Sequence, residues 1–165
     1  MTQEQYNRIN ELYLKMYDKM LDYAYVNIKN HALAQEAVQD TFEIACKDPG
    51  KLLSSPSPEG WLMKAVYNTI RNTIRARNAD KKLLEEYLLP RAKELSVTKE
   101  ELNLKLLFEN VADMDEFLLI MEKAVYGLGY EEMAQKRGIS VVACRKRIER
   151  ARKILQKKLK KDVTI

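Results

Sequence analysis

Residues 130–155 decide the fold of the C-terminal part of the chain, and they read YEEMAQKRGISVVACRKRIERARKIL. A short helical stretch ends at Gly138, and glycine readily adopts the left-handed backbone conformation that terminates helices. Ser140 is a favourable N-cap residue for the helix that follows. A short helix, a turn that contains glycine and a longer helix together predict a helix-turn-helix unit.

The longer helix of this unit has two different faces. Apolar residues at spacings of four, three and four predict its buried stripe: Cys144, Ile148, Ala151 and Leu155. The residues off that stripe suit a DNA major groove, since Arg and Lys donate to guanine or phosphate, Glu accepts from cytosine, and apolar groups contact thymine methyls. The candidate readers are Val142, Ala143, Arg145, Lys146, Glu149 and Arg150.

The charge distribution supports nucleic-acid binding more than the net charge does. The chain has 29 Lys and Arg against 24 Asp and Glu, a formal charge of +5. Ten of the basic residues lie between Arg145 and Lys161, where Glu149 is the single acid. A solvated charged helix at the end of a bundle is the alternative. The turn, the cap and the charge excess together favour DNA binding.

The rest of the sequence is also helical in character. Apolar residues at spacings of three and four predict helices over residues 3–29, 32–47 and 58–78, and no strand-like alternation is present. Residues 48–60 carry prolines and glycines and are expected to be irregular. The sequence predicts an all-α protein of two small helical domains, residues 2–78 and 99–162, joined by a partly helical linker at 79–98.

Cysteine, histidine and hydropathy exclude several classes of protein. Cys46 and Cys144 lie far apart, and the single His31 has no companion ligand nearby, so neither a disulfide framework nor a metal site is indicated. No signal-peptide pattern is present, and the longest strongly apolar run, Phe117–Met121, is too short to cross a membrane. We expect a cytoplasmic protein with no cofactor and no membrane insertion.

Two further helices in the N-terminal half carry polar faces. An acidic face on the second helix is formed by residues at spacings of three, one and three: Glu36, Gln39, Asp40 and Glu43. The opposite side is predicted to be buried through Ala34, Val38, Phe42 and Ala45. A basic and amide face on the third helix is formed by Lys64, Asn68, Arg71, Asn72 and Arg75. Trp61 is expected to support the start of that helix.

Three motifs together resemble a known family. Residues 127–140, GLGYEEMAQKRGIS, followed by RIERARKIL at 147–155, resemble region 4 of the extracytoplasmic-function (group 4) sigma factors of bacterial RNA polymerase. Residues 34–42, AQEAVQDTF, are similar to the family's AEDLVQETF in region 2. Residues 61–75, WLMKAVYNTIRNTIR, resemble WLxxIAxNxxxDxxR, with Asn72 at the usual Asp position. The motifs occur in the family's order.

The resemblance implies a role for each polar face. The acidic face of the second helix would dock on the clamp helices of the polymerase β′ subunit. The basic and amide face of the third helix would read the −10 promoter element. The longer helix of the helix-turn-helix unit would read the −35 element. Core RNA polymerase, through its β′ and β subunits, and promoter DNA are the implied partners, together with an anti-sigma factor. The resemblance also implies that the loop at 48–60 holds a flipped base.

Other functions remain open at this stage. A stand-alone helix-turn-helix regulator would not need both motifs of the N-terminal half. A sigma-like accessory protein would bind polymerase without starting transcription. An enzyme acting on nucleic acid would need a carboxylate cluster or a nucleophile–base pair, whereas the acids here are spread along helix faces. No catalytic activity is therefore expected.

Overall fold

The structure is a computed structural model that describes residues 1–94 and 114–162. Every regular element in these residues is an α-helix, so the predicted all-α class is confirmed. Seven helices lie within the described residues: α1 (Gln3–Ile28), α2 (His31–Lys47), α3 (Pro49–Leu53), α4 (Pro58–Glu94), α5 (Met114–Ala124), α6 (Tyr130–Arg137) and α7 (Val141–Asp162). The chain divides into two compact units, residues 1–76 and 77–165, with the boundary inside α4.

Local capping fixes the first two helices. The Thr2 hydroxyl accepts from the Gln5 backbone N–H, and the Gln5 side chain accepts from the Thr2 N–H, which completes a capping box at the start of α1. Lys29 ends α1 with a left-handed φ of 55°. The Asn30 side chain then caps α2 by accepting from the Leu33 N–H at 2.9 Å. The predicted break between these helices is therefore a two-residue turn.

The first unit is held together by apolar residues from its four helices. Fully buried side chains include Met20, Leu33, Val38, Leu52, Leu62 and Val66. The predicted inner face of α2 is confirmed, because Ala34, Val38, Phe42 and Ala45 are all buried. Thr41 is a polar residue inside this core. Its hydroxyl donates to the Ala37 carbonyl at 2.7 Å and lies 3.3 Å from the Thr69 hydroxyl of α4.

The segment before α4 is more regular than the sequence predicts. Asp48 caps the short helix α3 by accepting from the Lys51 N–H, and Leu52 of α3 is fully buried. Ser57 caps α4 by accepting from the Gly60 N–H at 3.1 Å, with Pro58 at the first helical position. A Cβ atom at Gly60 would lie 2.9 Å from the Ser57 hydroxyl, so the residue type suits this cap. The expectation of an irregular loop over 48–60 is therefore wrong for residues 49–53.

The predicted linker also differs from the structure. The helix expected to end near Asn78 continues as α4 to Glu94. Leu83, Leu84 and Tyr87 are buried in the second unit, in one cluster with Phe117 and Leu155. Residues 79–88 of the predicted linker therefore contribute to the core of the second unit, because Leu83, Leu84 and Tyr87 recur at spacings of one and three on one helical face. Residues 95–98 of that linker and 99–113 of the predicted second domain lie outside the described residues.

Candidate nucleic-acid interface

The helix-turn-helix is formed by α6, a tight turn and α7. Gly138 ends α6 with a φ of 62°, and the Ile139 N–H donates to the Ala134 carbonyl at 3.0 Å. The Ser140 hydroxyl caps α7 by accepting from the Ala143 N–H at 3.1 Å. A buried cluster closes the unit: Leu119, Met133, Ala134, Cys144 and Ile148. The roles predicted for Gly138 and Ser140 are confirmed, and so is the predicted stripe, since Cys144, Ile148, Ala151 and Leu155 are all fully buried.

The predicted readers on α7 are not equally accessible. Four of them are exposed, with Val142 at 63%, and these are Val142, Lys146, Glu149 and Arg150. Ala143 is half-buried. Arg145 is half-buried too, because its guanidinium lies over the Tyr130 ring of α6, 4.9 Å from the ring centroid. To contact a base edge, Arg145 would have to give up this contact, whereas Lys146 and Arg150 already lie on the exposed surface.

One residue of the basic segment serves the fold instead. Arg152 forms a bidentate ion pair with Asp80 of α4, with its Nε and one terminal nitrogen each 2.7 Å from a carboxylate oxygen. The Asp80 side chain is 5% exposed and that of Arg152 is 26% exposed. The hydrogen bond that Arg152 donates to Asp80 raises the pKa of Arg152 above its ordinary value, although burial opposes this shift. Arg152 is one of the ten basic residues between Arg145 and Lys161 that the sequence assigns to nucleic acid, and this assignment is wrong for Arg152 because its guanidinium is paired with Asp80.

A second internal network joins α5 to the end of α6. Glu122 accepts from Lys136 at 2.8 Å and from Arg137 at 2.6 Å. Burial raises the pKa of Glu122, but these two hydrogen bonds outweigh it, and the pKa lies below its ordinary value. In the same unit, the Arg77 Nε donates to the Ala124 carbonyl at 2.9 Å, which gives one of the C-terminal carbonyls of α5 a partner.

The candidate −10 face on α4 is fully accessible. All five of its predicted residues are exposed: Lys64, Asn68, Arg71, Asn72 and Arg75. The opposite side of α4 is buried through Leu62, Val66 and Thr69. Trp61 is half-buried and packs against the core of the first unit, which agrees with its predicted supporting position. None of these five side chains is needed to fill the core, so the whole face is available to a polyanion.

The candidate polymerase surface on α2 is only partly exposed. Gln39 and Glu43 are exposed, while Glu36 and Asp40 are half-buried. All four lie on one side of α2, as the spacing predicts. Ile44 is exposed beside them, at 47%. The arrangement is an acidic surface with an apolar edge.

Comparison with known proteins gives no relative: no family model, no curated protein and no solved structure matches the chain. Over residues 1–94 and 114–162, none of the helices has the length and apolar composition needed to cross a membrane. In that same part of the chain, no cluster of three or more His, Cys, Asp or Glu side chains is arranged to hold a metal ion.

The sequence prediction missed two exposed residues on these faces. Arg147 is exposed on α7 and lines a cavity of about 340 Å³ with Arg137 and Arg150. Its spacing of three from Arg150 was the available signal. Tyr67 lies on α4 next to Arg71 and is 45% exposed. The sequence signal for Tyr67 was an aromatic residue at spacings of three and four from two basic residues.

Proposed function

We propose that this protein is a sigma factor of the two-domain type, which binds core RNA polymerase and directs promoter recognition and DNA melting in the cytoplasm. The observation that carries the proposal is that each unit presents its own exposed basic helix face, on α4 in the first unit and on α7 in the second. A DNA-binding protein that reads a single site through its helix-turn-helix has no need of the α4 face. The three sequence motifs support the same function.

The α7 face provides the chemistry for reading duplex DNA. Its exposed Lys146 and Arg150 can donate to guanine edges or phosphates, and Glu149 can accept from a cytosine amine. Ser140 and Gly138 fix the start of α7, so the first residues of the helix are held in a defined position. The proposed target is the −35 element.

The α4 face provides phosphate-binding groups and amides on one helical side. Lys64, Arg71 and Arg75 can neutralise phosphates, while Asn68 can hydrogen-bond to a base edge. The proposed target is the −10 element as it opens. Binding energy from both elements would be shared with polymerase, and no covalent step is required of this chain.

The acidic α2 surface is the proposed contact with polymerase. Carboxylates at Asp40 and Glu43 would meet a basic partner surface on the β′ subunit and steer association. The exposed Ile44 adds apolar area at its edge. An anti-sigma factor is the further partner that the resemblance implies.

The deciding experiment is transcription by purified core polymerase on a genomic promoter library, with permanganate reactivity of unpaired thymines as the measure of opening.

Asp40→Lys with Glu43→Lys should weaken core binding, most strongly at low salt. The matched control is Asp18→Lys with Asp22→Lys, which makes the same charge change on exposed residues of α1. Equal core affinity for both double variants would remove the α2 surface from the proposal.

The second candidate is a stand-alone helix-turn-helix regulator. It is favoured by the second unit's own buried clusters, which give the helix-turn-helix a core of its own. Specific DNA binding without any affinity for core polymerase would select this function. Polymerase binding with no promoter opening would instead select a sigma-like accessory protein.

A further inference from the structure

A cavity of about 340 Å³ lies beside α7 in the second unit, between that helix, α5 and the end of α6. Three arginines, two leucines and one acid line it: Asp115, Leu118, Leu119, Arg137, Arg147 and Arg150. Its volume lies at the lower end of the range found for small-molecule sites, which is about 300–1,000 Å³. The cavity therefore has room for a small ligand, and its lining carries an excess of positive charge.

Arg137 is held in a fixed position at the wall of this cavity. One terminal nitrogen of its guanidinium donates to a Glu122 carboxylate oxygen at 2.6 Å, and the other donates to the Met133 carbonyl at 3.4 Å. The Arg137 side chain is only 20% exposed. The fold therefore sets the place of Arg137, and Glu122 compensates its charge.

Arg147 and Arg150 are the arginines that a ligand can engage. Both are exposed on α7 and lie three positions apart, so their side chains are neighbours on the helix surface. Among the residues that the structure describes, no ion pair involves either of them. Guanidinium groups bind phosphate oxygens through paired N–H donors. Two such groups at one cavity suit a ligand that carries more than one phosphate group.

Leu118 and Leu119 of α5 give the same cavity an apolar part of its lining. A free inorganic anion gains nothing from apolar walls, whereas the base of a nucleotide is stabilised when its faces are removed from water. The combination of arginines and leucines in one cavity therefore favours a nucleotide over free phosphate.

Resting on the proposed function for its effect on DNA, we propose that this cavity binds a nucleoside di- or triphosphate. Arg147 and Arg150 hold the phosphates, and Leu118 contacts the base. Arg150 is also a candidate reader of the −35 element, and one guanidinium cannot serve the nucleotide and the DNA at the same time. Bound nucleotide therefore competes with duplex DNA for the second unit.

The test titrates the full-length chain with the fluorescent nucleotide N-methylanthraniloyl-ADP and follows anisotropy. Arg147→Ala with Arg150→Ala should weaken binding by more than about tenfold, because the charge-assisted hydrogen bonds to phosphate are lost. Asp115→Asn should tighten binding about threefold, since it removes the acid from the lining, and a misfolded variant would not gain affinity. The matched control is Lys153→Ala with Lys157→Ala, which makes the same charge change on exposed α7 residues outside the lining.

Equal nucleotide affinity of the two double variants would overturn the site. Pyrophosphate that displaces the probe as well as unlabelled ADP does would overturn the assignment to a nucleotide.

A second arm measures the affinity of the unmodified protein for a duplex promoter fragment with and without saturating ADP. ADP should lower this affinity several-fold, and an unchanged affinity would overturn the competition. Failure of the unmodified protein to bind polymerase would defeat the proposed function, and the nucleotide titration would still decide the site.

Discussion

The basic faces of α4 and α7 use their charges differently. On α4, the five residues of the candidate face are all exposed. On α7, Arg152 is taken up by Asp80 and Arg145 lies over Tyr130, while Lys146 and Arg150 remain on the surface. The candidate face of α4 therefore keeps all of its basic residues on the surface, whereas α7 commits Arg152 to its own fold.

This difference shows that a charge run in a sequence combines two kinds of residue. Some basic side chains are available to a polyanion, and others satisfy a buried carboxylate. Arg152 belongs to the second kind because Asp80 would otherwise be a buried charge without compensation. Substitutions can separate the two kinds, since loss of a structural charge lowers stability and loss of an available charge lowers affinity.

The largest effect is expected at the Asp80–Arg152 pair. Asp80→Ala leaves the half-buried Arg152 guanidinium without its carboxylate, which should destabilise the second unit by about 3 kcal/mol. Peptide-level hydrogen exchange should show faster exchange in α7 and unchanged exchange in α1. Glu86→Ala is the control. The Glu86 carboxylate lies 3.7 Å from the Lys82 ammonium in an exposed ion pair, which should contribute less than about 0.5 kcal/mol to the stability. Unchanged exchange in α7 would contradict a structural role for Arg152.

A smaller effect is expected at Glu122. Glu122→Gln weakens its hydrogen bonds with Lys136 and Arg137, and should cost about 2 kcal/mol at neutral pH. The pKa of Glu122 is lowered by folding, so its contribution is present above the unfolded carboxyl pKa of about 4.3 and is lost as pH falls through the folded value. The free energy of unfolding, measured with urea, should fall less steeply in the variant than in the unmodified protein as the pH is lowered from 7 to 3. Parallel pH profiles for the two proteins would refute this linkage.

A loss of about 1 kcal/mol is expected when Ser140 is replaced by alanine, because the Ala143 N–H then loses its capping acceptor. Ser140→Asp should restore most of the stability, since its carboxylate can accept the same hydrogen bond. Thermal unfolding measures the stability of both variants, and hydrogen exchange of the α7 amides shows whether the change lies in that helix. The prediction fails if the alanine and aspartate variants are equally stable.

The smallest effect on stability is expected on α4. Arg71→Ala with Arg75→Ala should change the free energy of unfolding by less than about 0.5 kcal/mol, because both side chains are exposed. The same change should reduce the slope of log affinity against log salt by about 1.4 for single-stranded DNA. Lys19→Ala with Lys47→Ala is the control on exposed residues of α1 and α2. An unchanged slope would mean that the α4 face contacts no phosphates.

Much of the local structure could be predicted from the sequence. Amphipathic spacing acts between residues three or four apart, so the extents of α1 and α2 and the buried stripe of α7 were predicted to within one residue or confirmed as buried. The glycine and cap signals predicted the turn at Gly138 and the start of α7 at Ser140. The short helix α3 was missed because a proline at the first position of a helix resembles a breaker in an irregular segment. The extension of α4 was missed because the charged surface of residues 79–88 hides their buried Leu83, Leu84 and Tyr87.

The candidate site was likewise predictable from the sequence only in part. The spacing of polar residues on α2, α4 and α7 determined which side chains share a face, since helical geometry alone sets that relation. Only the tertiary structure decided which charges remain accessible. Asp80 and Arg152 are 72 positions apart, and no local pattern relates them. Burial creates their pairing, because a carboxylate removed from water needs a partner that the packing of α4 on α7 brings within reach.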